Sequence, residues 1–524
     1  MAAPLPPNLS ARQFERALKA FEQVVGAEWV LTSDQQRNTY IDFYAITPND
    51  HLPSAAIAPE NVEQVQAVMR VANEHKIPLW PISRGKNFGY GAAAPLMSGS
   101  VVLDLGRMRK ILDIDEKRGT CLLEPGVGFF DLYYYLRDNN IPLWISAPGN
   151  SWGSVVGNAL EHGFGYTPYG DHAQQVCGME VVLPNGELVR TGMGAMAGSD
   201  CWNLFKYGYG PSWDQLFMQS NFGTVTKMGM WLMPEPEAVT MLTMEPPNED
   251  DIGWVIDALT PLRLRGVIQA PLNIGNFIRV SMIASQRSQW YQGEGALPLD
   301  VEEKMRKQFG IGWWGVNVTL YGYPETNRFN TELTRKAVRQ YTDLDFKTVE
   351  WHRGEPRPDE TQFGVPITFP LQVANWAGAN GGHIGFSPVL PTDSKIALEQ
   401  LRISRKLFRE HGIDYCGSFT LHPRHLNKVN MIVYDKDDAD MTMRARDLVT
   451  ALVKNAHERG YGEYRAHLSY MDAVAQTFDF NNHAQLRLNE TIKDALDPNG
   501  ILAPGKQGIW PKAYRDQARR DGKV

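Results

Sequence analysis

The sequence predicts an α+β chain in which helices and strands mix without a regular βαβ series. Three observations carry this: amphipathic segments with helix caps, short apolar runs closed by Gly, Pro or Asn, and a change of pattern after LMPEPEAV, 232–239. The first helix starts at Ser10, which makes a capping box with Gln13. Phe14, Leu18, Phe21 and Val25 share one face, and Gly26 can end the helix. A second helix, PENVEQVQAVMRVANEHK, is expected to begin at Pro59, with Val62, Val65, Val68, Met69 and Ala72 at helical spacing. It leads into a buried strand, IPLWPIS, and then a glycine-rich loop. Further strands are SVVLDL (100–105), CLLEPGV (121–127) and the hairpin MEVVLPNGELVRTG, whose Asn185-Gly186 fits a tight turn.

Beyond residue 239 come longer helices, such as PTDSKIALEQLRISRKLFREHG, between strands such as NKVNMIVYD. With 524 residues the chain exceeds one ordinary core. The expected division is 1–238, 239–476 and 477–524, the last stretch being turn-rich and returning to the first part. No internal repeat or low-complexity tract is visible.

Hydrophobic content of 43% and charged content of 21% are those of a soluble globular protein. A net charge of −7 argues against a nucleic-acid partner, which calls for a basic face. Cys121, Cys177, Cys201 and Cys416 lack CxxC spacing and read as reduced, mostly buried thiols, neither zinc ligands nor a disulfide frame. No metal site is expected. The start of the chain lacks a secretion signal and no stretch approaches the roughly 20 apolar residues of a membrane span, so a cytoplasmic protein is expected. Fourteen tryptophans suit pockets for planar ligands, or simply a large aromatic core.

Three constellations could carry chemistry. In SRGKNFGYG, glycines 85, 89 and 91 follow a strand and could gather backbone N–H groups around an anion, or form an ordinary glycine turn. The stretch PGNSWGSVVGNALEHGFGYTPYGDH, 148–172, holds six glycines among small residues, which would let backbone approach a flat ligand. The last pairs NGGHIGFSP, with His383, and GEYRAH, with Tyr464 and Arg465. A phenol hydroxyl beside a permanent cation could stabilise an oxyanion, or be a packed Tyr beside a surface Arg.

These segments, together with LLEPGV, GMEVVLPNGELVRTGMGA, QSNFGTVTKMG and DPNGILAPGKQGIWP, closely resemble in order the vanillyl-alcohol oxidase and eugenol oxidase family, FAD-dependent 4-phenol oxidases. The likeness runs from about Leu5 to Tyr514. It implies an FAD-binding domain of the p-cresol methylhydroxylase type, made from both chain ends, plus an α+β cap over the substrate. It implies FAD bonded through its 8α carbon to His383, with Gly381 and Gly382 clearing the approach of the imidazole. The resemblance places Gly85, Lys86, Asn87 and Gly89 around the pyrophosphate and Ser154, Val155, Gly157 and Asn158 along the ring and ribitol. Thr224, Val225 and Lys506 become further FAD contacts. Tyr90, Tyr464 and Arg465 would hold a 4-substituted phenol as phenolate, supported by Tyr166. Gly385, Ser387, Ser418 and Thr420 fall at pocket positions that vary within the family.

By the same resemblance, hydride leaves the para side-chain Cα for flavin N5, giving a p-quinone methide, and O2 reoxidises the flavin to yield H2O2. Homodimers or larger homo-oligomers are implied. Two alternatives remain: a dehydrogenase or hydroxylase passing electrons to a cytochrome or other acceptor, and a flavin- or phenol-binding protein with impaired chemistry. One departure stands out. The family's oxidases carry an aspartate where this chain has Gly149, in PGNS. Its absence implies slower hydration of the quinone methide, a base from elsewhere, or a cavity widened for bulkier, lignin-derived phenols, with Asn150 or Ser151 left to hold water.

Overall fold

The computed structural model describes residues 4–47 and 50–520. Three larger sheets organise them, with a two-stranded pair, Leu143–Trp144 and Met233–Pro234, beside them. In the first, Ala55–Ile57, Val101–Asp104 and Leu79–Ile82 run parallel, with Val30–Leu31 antiparallel at the edge. The helices Ala11–Val25 and Val62–His75 bury Phe14, Phe21, Val65 and Met69 against it. The Ser10–Gln13 capping box and the Gly26 stop are as the sequence indicates. The second helix starts later than expected: the Asn61 side chain accepts the Gln64 N–H at 2.9 Å, so Asn61 caps it and Pro59 lies outside.

The last part of the chain returns to this sheet. The Leu79 N–H donates to the Ile501 carbonyl, and the Ala503 N–H to the Leu79 carbonyl. It is less turn-rich than expected, because Phe480–Leu496 and Lys512–Arg520 are helical. Lys493 explains part of this. Fully buried, it ion-pairs with Asp497 at 2.8 Å and donates to the Asn221 and Leu502 carbonyls, tying that helix to the lobe.

The second sheet is antiparallel: Ile111–Asp115, Thr120–Leu123, Thr224–Trp231, Val176–Val182 and Leu188–Arg190. The last pair is the hairpin turned at Gly186, where φ is +84°. The third and largest sheet draws its eight strands from residues 238–435. The helices Ile252–Leu264, Pro324–Val338, Ser394–Glu410 and Ala439–Glu458 pack on one of its faces.

Strand periodicity of two divides the residues of this large sheet. Ile384 and Phe386, Phe419 and Leu421 enter the helix-covered core. Their alternates, His383 and Gly385 on Gly381–Phe386 and Ser418 and Thr420 on Cys416–Leu421, therefore face the other way. That second face meets the glycine loop of the first lobe, the Gly385 N–H approaching the Gly89 carbonyl at 3.5 Å. Among the described residues no helix is long and apolar enough to cross a membrane.

Candidate active site

A cavity of about 330 Å³ is lined by the glycine loop, parts of 148–166 and 217–225, and the segments 464–468 and 502–506. Most of the residues singled out from the sequence meet there. Gly85, Lys86 and Asn87 line one wall, Ser154, Gly157 and Asn158 the next, and Thr224, Val225 and Lys506 a third. Tyr90, Tyr166, Tyr464, Arg465, Gly149 and Asn150 also border it.

The glycine wall owes its shape to backbone that L side chains avoid. Gly89 and Gly91 have φ of +83° and +107°, and a Cβ at Gly91 would run into the Leu468 side chain. The tight turn is closed by the Tyr90 and Ala92 N–H groups, both donating to the Asn87 carbonyl at 3.1 Å. Ser154 caps the short helix Val155–Leu160, its Oγ accepting the Gly157 N–H at 3.1 Å; Val155 itself is buried outside the cavity lining. The six glycines of 148–172 do not all serve a ligand. Gly157, Gly163, Gly165 and Gly170 are spaceless because protein atoms press on them, whereas Gly149 and Gly153 face open room.

At the other end of the cavity three polar side chains converge. The Arg465 Nη2 donates to the Asn87 Oδ1, and its guanidinium carbon sits 4.3 Å from the Tyr90 ring centroid. The Arg465 Nε is buried with no partner. Burial raises the hydroxyl pKa of Tyr90 and of Tyr464, so both stay donors at neutral pH. The backbone of Tyr464 is fixed by Gln219, whose Nε2 donates to its carbonyl at 2.7 Å from a strained left-handed conformation, φ +43°. Tyr166 stands beside them, with Phe164 T-shaped against it at 6.0 Å.

His383 reaches this region from the cap sheet. Its ring lies 4.9 Å from that of Tyr44, its Nδ1 is buried without a partner, and burial pulls its pKa down to about 4. The imidazole is therefore neutral, with a free lone pair. The clearing in front of it differs from the expected one. A Cβ on Gly381 would strike the Ala374 carbonyl and one on Gly382 would crowd Tyr434, so those glycines serve packing within the cap. The residue that gives way to the imidazole is Gly89, whose Cβ would lie 2.7 Å from Nε2. Gly385 backs onto the Tyr90 hydroxyl, 3.1 Å from a Cβ built there. Ser387, Ser418 and Thr420 are buried behind the cavity and do not line it. Ser151 is not available to water: its hydroxyl donates to the Pro148 carbonyl at 2.7 Å and accepts the Ile367 N–H at 3.1 Å.

Four contributors had no place in the sequence reading. Glu161 pairs with Lys506, Gln219 and Phe164 support Tyr464 and Tyr166, and Glu463 lies behind Tyr90. Only Glu463 carried a signal, as the carboxylate within GEYRAH.

The wall formed by 217–225 suits a polar ligand. Ser220 Oγ, Asn221 Oδ1 and Thr224 Oγ1 are buried without partners, and all three residues line the cavity. Residues 53–192 match the model of an FAD binding domain, and residues 368–507 match that of the C-terminal domain of FAD linked oxidases. Fold and site thus define an FAD-linked oxidoreductase.

The 4-cresol dehydrogenase [hydroxylating] flavoprotein subunit of Pseudomonas putida is 37% identical, over 97% of this chain and 98% of its own. A 4-ethylphenol oxidase from Gulosibacter chungangensis, solved with isoeugenol, superposes with a TM-score of 0.93 at 38% identity, covering 97% of this chain and 99% of that one. A p-cresol methylhydroxylase with substrate bound gives 0.92 at 36% identity, over 97% and 99%. The chain belongs to the p-cresol methylhydroxylase/vanillyl-alcohol oxidase family.

Proposed function

We propose that the protein is an FAD-dependent oxidase of 4-substituted phenols, with 1–238 and 477–524 as the flavin lobe and 239–476 as the cap. The observation that carries this reading is Arg465: a cation held by a neutral amide and an aromatic face, beside two un-ionised tyrosine hydroxyls. Such a group favours an anionic oxygen, so a phenol entering there loses its proton. With Arg465, Tyr90 and Tyr464 holding the phenolate, electron density moves to the para carbon and Cα becomes a hydride donor. FAD, when bound along the neighbouring wall, would supply the hydride acceptor, and O2 as oxidant would carry the electrons away as H2O2. The substrate leaves as a p-quinone methide, open to addition of water or loss of a proton.

His383 is the residue we assign to a covalent 8α-histidyl bond to FAD, on the strength of its neutral, unpartnered ring facing Gly89. Lys86, Asn87, Ser154, Asn158, Thr224 and Lys506 then hold the dinucleotide. Gly149, beside Tyr166 with no closer neighbour than 3.7 Å to a built Cβ, leaves room for larger, lignin-derived side chains. We place the protein in the cytoplasm as a homodimer or larger homo-oligomer, where its unpaired cysteines stay reduced.

A second reading has its own support: the relative from Pseudomonas putida is a dehydrogenase subunit, so a protein or dye acceptor could replace O2. A panel of 4-alkylphenols tests both. Anaerobic bleaching of the yellow flavin by a phenol establishes the reductive half. Reoxidation by air with stoichiometric H2O2 supports the oxidase, and slow reoxidation in air but fast reoxidation by a one-electron acceptor replaces it with the dehydrogenase.

A further inference from the structure

Glu463 stands directly behind the oxygen-binding cluster. The residue is only 8% exposed, and its Oε1 accepts the Ser387 N–H at 3.2 Å. On either side the chain is stitched to the end of the cap strand. Glu463 bridges Pro388, and the Val389 N–H donates to the Gly462 carbonyl at 2.9 Å. Its chain neighbour Arg465 does not neutralise it: that guanidinium turns to Asn87 and the Tyr90 ring. Burial pushes the Glu463 carboxyl well above the usual carboxylate range, and the one opposing influence is the Ser387 amide.

We propose that Glu463 is a positioning residue that works as the uncharged acid, holding the turn at 386–389 against Tyr464 while leaving the positive charge of Arg465 uncancelled. The inference rests on the phenolate reading above. Were Glu463 ionised, one negative charge would stand behind the cluster and oppose a second on the bound oxygen, so phenolate would be bound against repulsion. The cluster therefore has a built-in alkaline limit, reached when Glu463 loses its proton. The titratable groups around Glu463 are Tyr90 from the glycine loop and Tyr464 and Arg465 from its own segment, with Tyr166 acting on Tyr464. The cap strand end brings only the Ser387 hydroxyl and backbone.

The test uses holoenzyme and a 4-halophenol that cannot be oxidised, read by its phenolate absorbance band and its Kd from neutral to alkaline pH. Wild type is expected to show the band at neutral pH and to lose affinity by about tenfold or more as Glu463 ionises. Glu463→Gln, which keeps the acceptor for Ser387, should retain the band and neutral-pH affinity and move that alkaline loss to higher pH. Glu463→Leu should weaken binding at every pH. A Gln variant that lacks the band at neutral pH, or whose alkaline loss is unmoved, overturns the proposal. So does wild-type affinity that stays flat through the alkaline range, a result needing no variant. A wild type with no phenolate band at any pH brings down the phenolate reading itself.

Discussion

The two ends of the cavity are made of different material. The end that we assign to the dinucleotide is shaped by backbone, a loop with positive-φ glycines, a capped helix of six residues and the start of a strand, from which a few polar side chains project. The end that we assign to the phenol oxygen is side chains brought from distant segments, Tyr90 from the loop, Tyr464 and Arg465 from residues 461–467, with Glu463 and Ser387 behind. A site built of backbone is damaged by adding atoms. One built of charge and hydroxyls is damaged by removing them. The contrast predicts that variants at the two ends fail in distinguishable ways.

The largest effect is expected at the oxygen end. Arg465→Ala removes the cation that faces the reacting oxygen, and turnover of a 4-alkylphenol should fall by about 10²–10³-fold. FAD content, read from the flavin absorbance per chain, should stay near wild type. Equal loss of both would show that Arg465 supports the fold through Asn87 and the Tyr90 ring, and the contrast between the ends would collapse.

Gly91→Val attacks the other end. The new side chain meets Leu468 and needs a φ near +107°, so strain of about 1–3 kcal/mol adds to the overlap. The expected result is a lower melting temperature and a fall in bound FAD, with turnover per remaining flavin preserved. Turnover per flavin falling with FAD content would mean that the loop shapes the oxygen site as well, which the 3.1 Å turn bonds around Asn87 make the informative alternative.

His383 lies against Gly89 of the glycine loop, and its removal should cost less than either of these changes. In wild type the acid-precipitated chain should carry the yellow dye down with it, and in His383→Ala the dye should stay in the supernatant while the native variant still binds it. Because burial holds the imidazole near a pKa of about 4, it stays neutral as pH is lowered, and the attachment reaction in reconstituted apoprotein should persist to about pH 5. Wild-type dye released by acid would remove the covalent assignment.

How much of this the sequence disclosed follows the same division. Backbone features leave local marks, so SRGKNFGYG, the Ser10 cap and the Asn185-Gly186 turn could be read in place. What stayed hidden depends on contacts far apart in the chain. Nothing local says that Gly381 is emptied by the Ala374 carbonyl and that Gly89, nearly 300 positions earlier, is the residue that clears His383. Gln219 looks like any polar residue before a turn, and only its strained φ and its bond to Tyr464 mark it. The helix Phe480–Leu496 was masked by its neighbours Pro498 and Gly500, and the buried Lys493–Asp497 pair that anchors it has no pattern to announce it.

The smallest expected effect, and the one that most sharpens the comparison, concerns Gly149. It belongs to the cavity wall yet obeys neither rule: its φ is ordinary and a Cβ there meets only Tyr166, at 3.7–3.8 Å. Adding a methyl group should therefore leave stability within about 0.5 kcal/mol and FAD content unchanged, unlike Gly91→Val. If the empty space is used by substrate, Gly149→Ala should lower kcat/KM for a phenol with a bulky or dimeric side chain more than for 4-hydroxybenzyl alcohol. One methyl group in an apolar pocket discriminates by about 10–200-fold at most, so a few-fold reversal of preference is the scale to seek. Gly149→Asp adds a carboxylate as well as bulk. If it improves every substrate, the small one most, then the missing carboxylate rather than the missing volume is what limits this site, and the assignment to larger phenols must be given up.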